Sequence, residues 1–159
     1  MEQQGLKELI KQGFAAMKAG SNVAADATGK IQNDAKNEEL KNALQQGNEQ
    51  SKVWSERIDK GLQDAGGPSD QDNEILKAHY EVSKQIRQQA ADDDSRDLGI
   101  IASGQMALHY WIAAFGTQVS YAAAAGLKLA QEEMQACLDE AKEADLKHTS
   151  IAKSIMGTQ

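Results

Sequence analysis

Between Leu98 and Val119 one stripe of side chains returns every three or four residues: Leu98, Ile101, Gln105, Leu108, Ile112, Phe115 and Val119. That spacing places them on one face of a helix about six turns long, and a stripe so apolar is stable only against other helices. Comparable spacings recur along the rest of the chain. Leu6, Leu9, Ile10, Gly13, Met17, Val23, Ala27 and Ile31 predict a first helix to about Gln32, with Gly20-Ser21-Asn22 as a weak point in its middle. Leu40, Leu44, Ser51, Trp54, Ile58 and Leu62 predict a second, ended by AGGPSD. Ile75, Leu76, Tyr80, Val82, Ser83 and Ile86 predict a shorter third, with Ser69 or Asp70 as its cap.

The acidic run ADDDSRD fits the start of the fourth helix, because carboxylates complement the positive end of the helix dipole. Beyond Gly126, a fifth helix turns Ala130, Met134, Cys137 or Leu138, Ala141, Asp145, His148, Ile151 and Ile155 inward. Four long helices with a short one in the middle describe an all-α, ferritin-like four-helix bundle with an additional short helix, expected as one domain over 1–159. Composition agrees: 40% hydrophobic residues, only 4% aromatic ones and a single proline suit alanine-rich helices better than sheets.

Charge and cysteine content narrow the partners. With 17 basic against 24 acidic residues the formal charge is −7, so binding to a nucleic-acid backbone is not expected. The apolar run from Leu98 to Ala130 is broken by Ser103, Gln105, His109, Gln118 and Ser120, and reads as a core helix rather than a membrane span. A lone cysteine, Cys137, and an N-terminus without a long apolar core make a reducing cytoplasm the expected location. Cys137 has no close basic neighbour in sequence to activate it, and Met106, Met134 and Met156 read as core gap-fillers.

The segment from Ser95 to Ala152 contains HYWIAAFGT and LDEAKEADLKHTSIA. In order and spacing these words resemble the C-terminal half of the YciE/YciF family, bacterial stress-associated proteins with a ferritin-like fold. KNEELKNAL and ERIDK resemble the same family's second helix, extending the likeness over about residues 6–152. The resemblance implies a homodimer and a metal site of inward carboxylates and imidazoles, partly as Glu-x-x-His pairs. Along the same resemblance, first-helix Glu corresponds to Ser21, and the second-helix Glu-x-x-His to Glu49-Gln50-Ser51-Lys52. The residues beside His109-Tyr110, usually acidic in the family, are Leu108 and Trp111, and an inward acid of the last helix is Ala141, while Asp145 remains. So few anions cannot offset two metal ions in a low-dielectric interior, and a di-iron centre is not expected.

What remains is a reduced set. Glu49, His109 and Asp145, with Glu81 or Glu140 as further candidates, compose a mixed nitrogen and oxygen site for a single iron, manganese or zinc ion. The plainer reading keeps His109 as a buried histidine bonded to Asp145 or water, with no cofactor at all. Lys52 paired with Asp145 or Glu49 is a further option. His148, three residues after Asp145, is a weak ligand signal, and His79 fits a semi-exposed face. Trp54 and Trp111 read as core or dimer-interface anchors. The functional expectation is a non-catalytic, stress-associated homodimeric interaction protein without nucleic-acid or membrane partners. A metal-dependent redox protein with a mononuclear site is the alternative.

Overall fold

The computed structural model describes residues 3–158; Met1, Glu2 and Gln159, which fall within the expected domain span, lie outside the described residues. Five helices follow one another: α1 (Gln3–Asp34), α2 (Glu38–Asp64), α3 (Glu74–Gln89), α4 (Asp93–Ala125) and α5 (Lys128–Met156). α1 pairs with α2 and α4 with α5, α2 also packs on α5, and α3 lies against α1 and α4 on the long crossing from α2 to α4. Two helix hairpins joined by one crossover make the ferritin-like bundle.

Each helix end has a chemical cause. Asn37 caps α2 by accepting from Leu40 N at 3.0 Å. Asp92 and Ser95 form a reciprocal capping box at the start of α4, as the aspartate run predicts. Gly126 (φ 72°) and Gly157 (φ 68°) end α4 and α5 in the left-handed conformation that glycine adopts without strain. The residue at the cap of α5, Leu127, has no side-chain oxygen to offer; Asp64 of α2 reaches across and accepts from Ala130 N at 2.9 Å instead.

Two features correct the sequence expectations. α3 is capped by Asn73, not by Ser69 or Asp70, because Asn73 does more than cap. Buried to 4% exposure, it accepts from Leu76 N and donates through Nδ2 to Ala16 O (2.9 Å) and Tyr110 Oη (2.7 Å), so one amide joins α1, α3 and α4. The second correction concerns Gly20, which does not weaken α1. The helix is continuous, and a Cβ there would come within 2.6 Å of Asn73 Nδ2, so the bare position is what lets α3 dock.

Apolar burial divides into two clusters. The larger gathers Phe14, Trp54, Ile58, Trp111, Phe115, Met134 and Cys137, among others; the smaller holds Ile31, Leu40, Ile100, Ile101 and Ile151, and the partly buried Tyr80 packs against both. Trp54, Trp111 and Phe115 meet ring to ring at centroid distances of 5.3–6.4 Å, which accounts for both tryptophans as core anchors.

On α4 the buried residues are Asp97, Ile100, Ile101, Ser103, Ala107, Trp111, Phe115, Gln118 and Ala122. The predicted stripe is therefore one edge of a wider buried arc, and its Gln105 bonds to Asp145 and Thr149 of α5. A bundle helix flanked by neighbours on both sides buries more than a single seam. By length and composition alone α4 could also cross a bilayer; here it packs against α1, α3 and α5. Met134 is buried, whereas Met106 and Met156 lie half-exposed on the surface and are not gap-fillers.

Candidate functional site

Where a ferritin-like bundle would hold metal, the helices instead line a central cavity. Ser21, Leu108 and Trp111, three positions expected to have lost acids, do line it. On α2, however, the inward side chains are Gln50, Ser51 and Trp54, while Glu49 and Lys52 are exposed. One step along a helix turns a side chain by about 100°, so a register displaced by one residue carries a would-be ligand out to solvent. Lys52 consequently makes no ion pair with Asp145 or Glu49 among the described residues.

His109 corrects the reading of a buried histidine. Its side chain is 66% exposed, on the outer side of α4, and its Nε2 lies 3.1 Å from Asp145 Oδ2. Of the proposed ligand set, the structure thus brings His109 and Asp145 together and leaves Glu49 and Glu81 exposed elsewhere. Gln105 donates to Asp145 Oδ1 at 3.2 Å, so that carboxylate is shared between an imidazole and an amide.

The imidazole that does enter the bundle is His148. It is 8% exposed, and its Nδ1 lies 2.8 Å from Ala144 O. A carbonyl only accepts, so this contact places a ring proton on Nδ1. The signal was present in the sequence: His148 falls on the inward spacing of α5, Met134, Ala141, His148 and Ile151.

Of the two carboxylates that line the cavity from α5, Glu143 is exposed and Glu140 is half-buried, with its Oε2 already taken. Trp54 Nε1 (2.7 Å), Gln50 Nε2 (2.7 Å) and Arg57 Nη1 (2.8 Å) all donate to it. Arg57 also lies 3.5 Å from Glu133, and its contact with Glu140 raises its pKa further above the ordinary arginine range. With three donors, one of them cationic, that oxygen has no lone pair left for a metal ion. Among the described residues no three His, Cys, Asp or Glu side chains converge to hold one. The donor set present does not fit the paired carboxylates and imidazoles of a di-metal centre.

Cys137 lies beside this cluster, fully buried. Burial pushes its thiol up to about 12 despite the neighbouring Arg57, so at neutral pH it is a protonated packing group and not a nucleophile.

Three kinds of comparison bear on what such a bundle is. Its fold superimposes on the crystal structure of the E. coli stress protein YciF with a TM-score of 0.91 at 21% identity, covering 97% of this chain and 98% of that one. YcfI, a proposed structural protein from Rhodopseudomonas palustris, gives a TM-score of 0.86 at 23% identity over 91% of this chain and 92% of that one. Among curated proteins none matches this chain. The model of a family described as a domain of unknown function, DUF892, matches residues 5–159. The chain belongs to the DUF892 family, and the YciE/YciF likeness read over about residues 6–152 is matched by a fold shared over 97% of the chain.

Proposed function

We propose that the protein is a non-catalytic, stress-associated bundle that acts as a homodimeric structural or interaction protein. Its location is the cytoplasm, and its partners are proteins rather than nucleic acids or membranes. The observation that carries this reading is the state of Glu140. This half-buried acid on the cavity wall holds Trp54, Gln50 and Arg57 through one oxygen, and serves the fold. Family membership and the likeness to a stress protein and to a proposed structural protein support the same direction.

The outer face of α4 supports a second copy as the partner. Ala102, Met106, Ala113, Thr117 and Ala124 are exposed there, and from Leu98 to Leu127 the chain carries no Asp, Glu, Lys or Arg. His109 shares this face, which otherwise presents mostly small side chains, and such a face is suited to close approach by an identical one across a two-fold axis. Sedimentation equilibrium tests this. A dimer converted to monomer by Ala113→Arg supports the reading; a wild-type monomer at micromolar concentration refutes it.

A mononuclear redox protein is the second reading, favoured by the His109–Asp145 contact of 3.1 Å on the surface. Elemental analysis of the purified protein separates the two. Near-stoichiometric iron, manganese or zinc that disappears in His109→Ala would establish the second reading in place of the first.

A further inference from the structure

Between the two apolar clusters the helices enclose a cavity of about 370 Å³, with walls drawn from all five helices. Its exposed lining residues are Gln46 and Gly47 on α2 and Glu143 and Lys147 on α5, which places its mouth between those two helices. Two cross-links frame the opening. Lys147 Nζ donates to Gln46 Oε1 at 2.7 Å, and one turn further along α2 Gln50 donates to Glu140. Gly47 sits between them, and a Cβ built there would meet nothing within 4 Å. The passage is open at that point.

The interior has a definite chemical character. Trp54, Trp111 and Tyr80 give it aromatic walls. Its less exposed carboxylate, Glu140, is matched by Arg57, while Glu143 and Lys147 lie at the mouth, so a charge carried past them into the interior would leave its counter-charges behind. Ser103 also lines the cavity. It is 3% exposed, and its hydroxyl has no hydrogen-bond partner. A buried hydroxyl left unsatisfied is uncommon and marks a place where a partner is missing. His148 Nε2 offers a second polar point. For scale, an apolar cavity of about 150 Å³ holds benzene, and this one is more than twice as large.

We propose that the cavity is a binding site for a small uncharged aromatic molecule of about two fused rings carrying a hydroxyl group, which hydrogen-bonds to Ser103. Aromatic walls supply the contact area and the unpaired serine supplies orientation, the usual division of labour in small-molecule pockets. The site is independent of the oligomeric state proposed above.

Isothermal titration calorimetry of the full chain with 2-naphthol, naphthalene and 2-naphthoate tests the assignment. The expected result is one molecule of 2-naphthol per chain in the micromolar range, with 2-naphthoate at least tenfold weaker. Ala144→Phe, which fills the cavity from α5, should weaken 2-naphthol and naphthalene at least tenfold, with a thermal melt confirming that the variant folds. Should it not fold, Gly47→Phe at the mouth should slow association at least tenfold in stopped-flow. Ser103→Ala should weaken 2-naphthol severalfold and leave naphthalene unchanged. No saturable binding of 2-naphthol by the wild type, or undiminished binding to a folded Ala144→Phe variant, overturns the site. Equal effects of Ser103→Ala on both probes overturn the role given to the serine.

Discussion

Asp97 holds the bundle's N-terminal loop by two contacts. Its side chain is 1% exposed at the start of α4, and its two oxygens accept from Lys36 N (2.9 Å) and Asn37 N (2.6 Å), the turn that joins α1 to α2. Hydrogen bonds to a charged group contribute about 1.5–3 kcal/mol each, and a buried donor stripped of its acceptor carries a desolvation cost of its own. Lys36 is itself exposed, so water can replace part of what is lost on that side. Asp97→Ala should therefore cost about 2–4 kcal/mol, a sizeable share of the roughly 5–15 kcal/mol that holds a domain together.

Asp97→Asn is the sharper variant. Its shape is preserved, but one of its two groups becomes a donor aimed at a backbone N–H, so it should recover less than half of the loss. Urea unfolding followed by circular dichroism measures both, with an unchanged m-value as the control for two-state behaviour. Were Asp97→Ala to shift stability by under about 0.5 kcal/mol, the claim that a single carboxylate anchors this turn would be wrong.

Other substitutions probe the rest of the bundle. Phe115→Ala should destabilise by about 3–5 kcal/mol through a core cavity, and Ile112→Ala by clearly less because Ile112 is only partly buried; the reverse order in thermal melts would contradict the buried arc assigned to α4. Glu140→Gln should cost about 1–2 kcal/mol, a modest figure because the Arg57 and Glu140 side chains keep 22% and 32% exposure, and should shift Trp54 emission; no change in either readout would show that the three donors do not depend on the charge. His109→Ala, at an exposed position, should leave urea stability within about 0.5 kcal/mol of the parent. Burial raises the Cys137 thiol from 9.0 to about 12 and the Tyr80 phenol from 10.0 to about 12. Since the folded state holds these protons more tightly, their contribution is complete below about pH 9 and is lost as pH rises towards 12; an unfolding midpoint that stays constant across that alkaline range would oppose it.

The helices were legible in the sequence because each boundary has a local chemical cause. The aspartates before Ser95, the glycine at 126 and the three-four spacings act within one or two turns of where they stand. What could not be read locally was orientation about each helix axis. Glu49 and Gln50 are adjacent in the chain yet face solvent and Glu140 respectively, and neither residue type announces which. His109 lay in the most apolar stretch, so hydropathy suggested a burial it does not have, whereas the three-four spacing of α5 placed His148 inward as observed. Asn73 and Asp97 act over 57 and 61 residues of sequence, through contacts that exist only after the helices have met.

The division of the apolar interior into two clusters has a mechanical outcome. Between the aromatic half and the isoleucine half stands a hollow, with the Tyr80 ring packed against both sides. Side chains that do not touch cannot stiffen one another. At that waist α2 and α5 are joined by polar ties, Lys147 to Gln46 and Glu140 to Gln50 and Trp54, in place of continuous apolar packing.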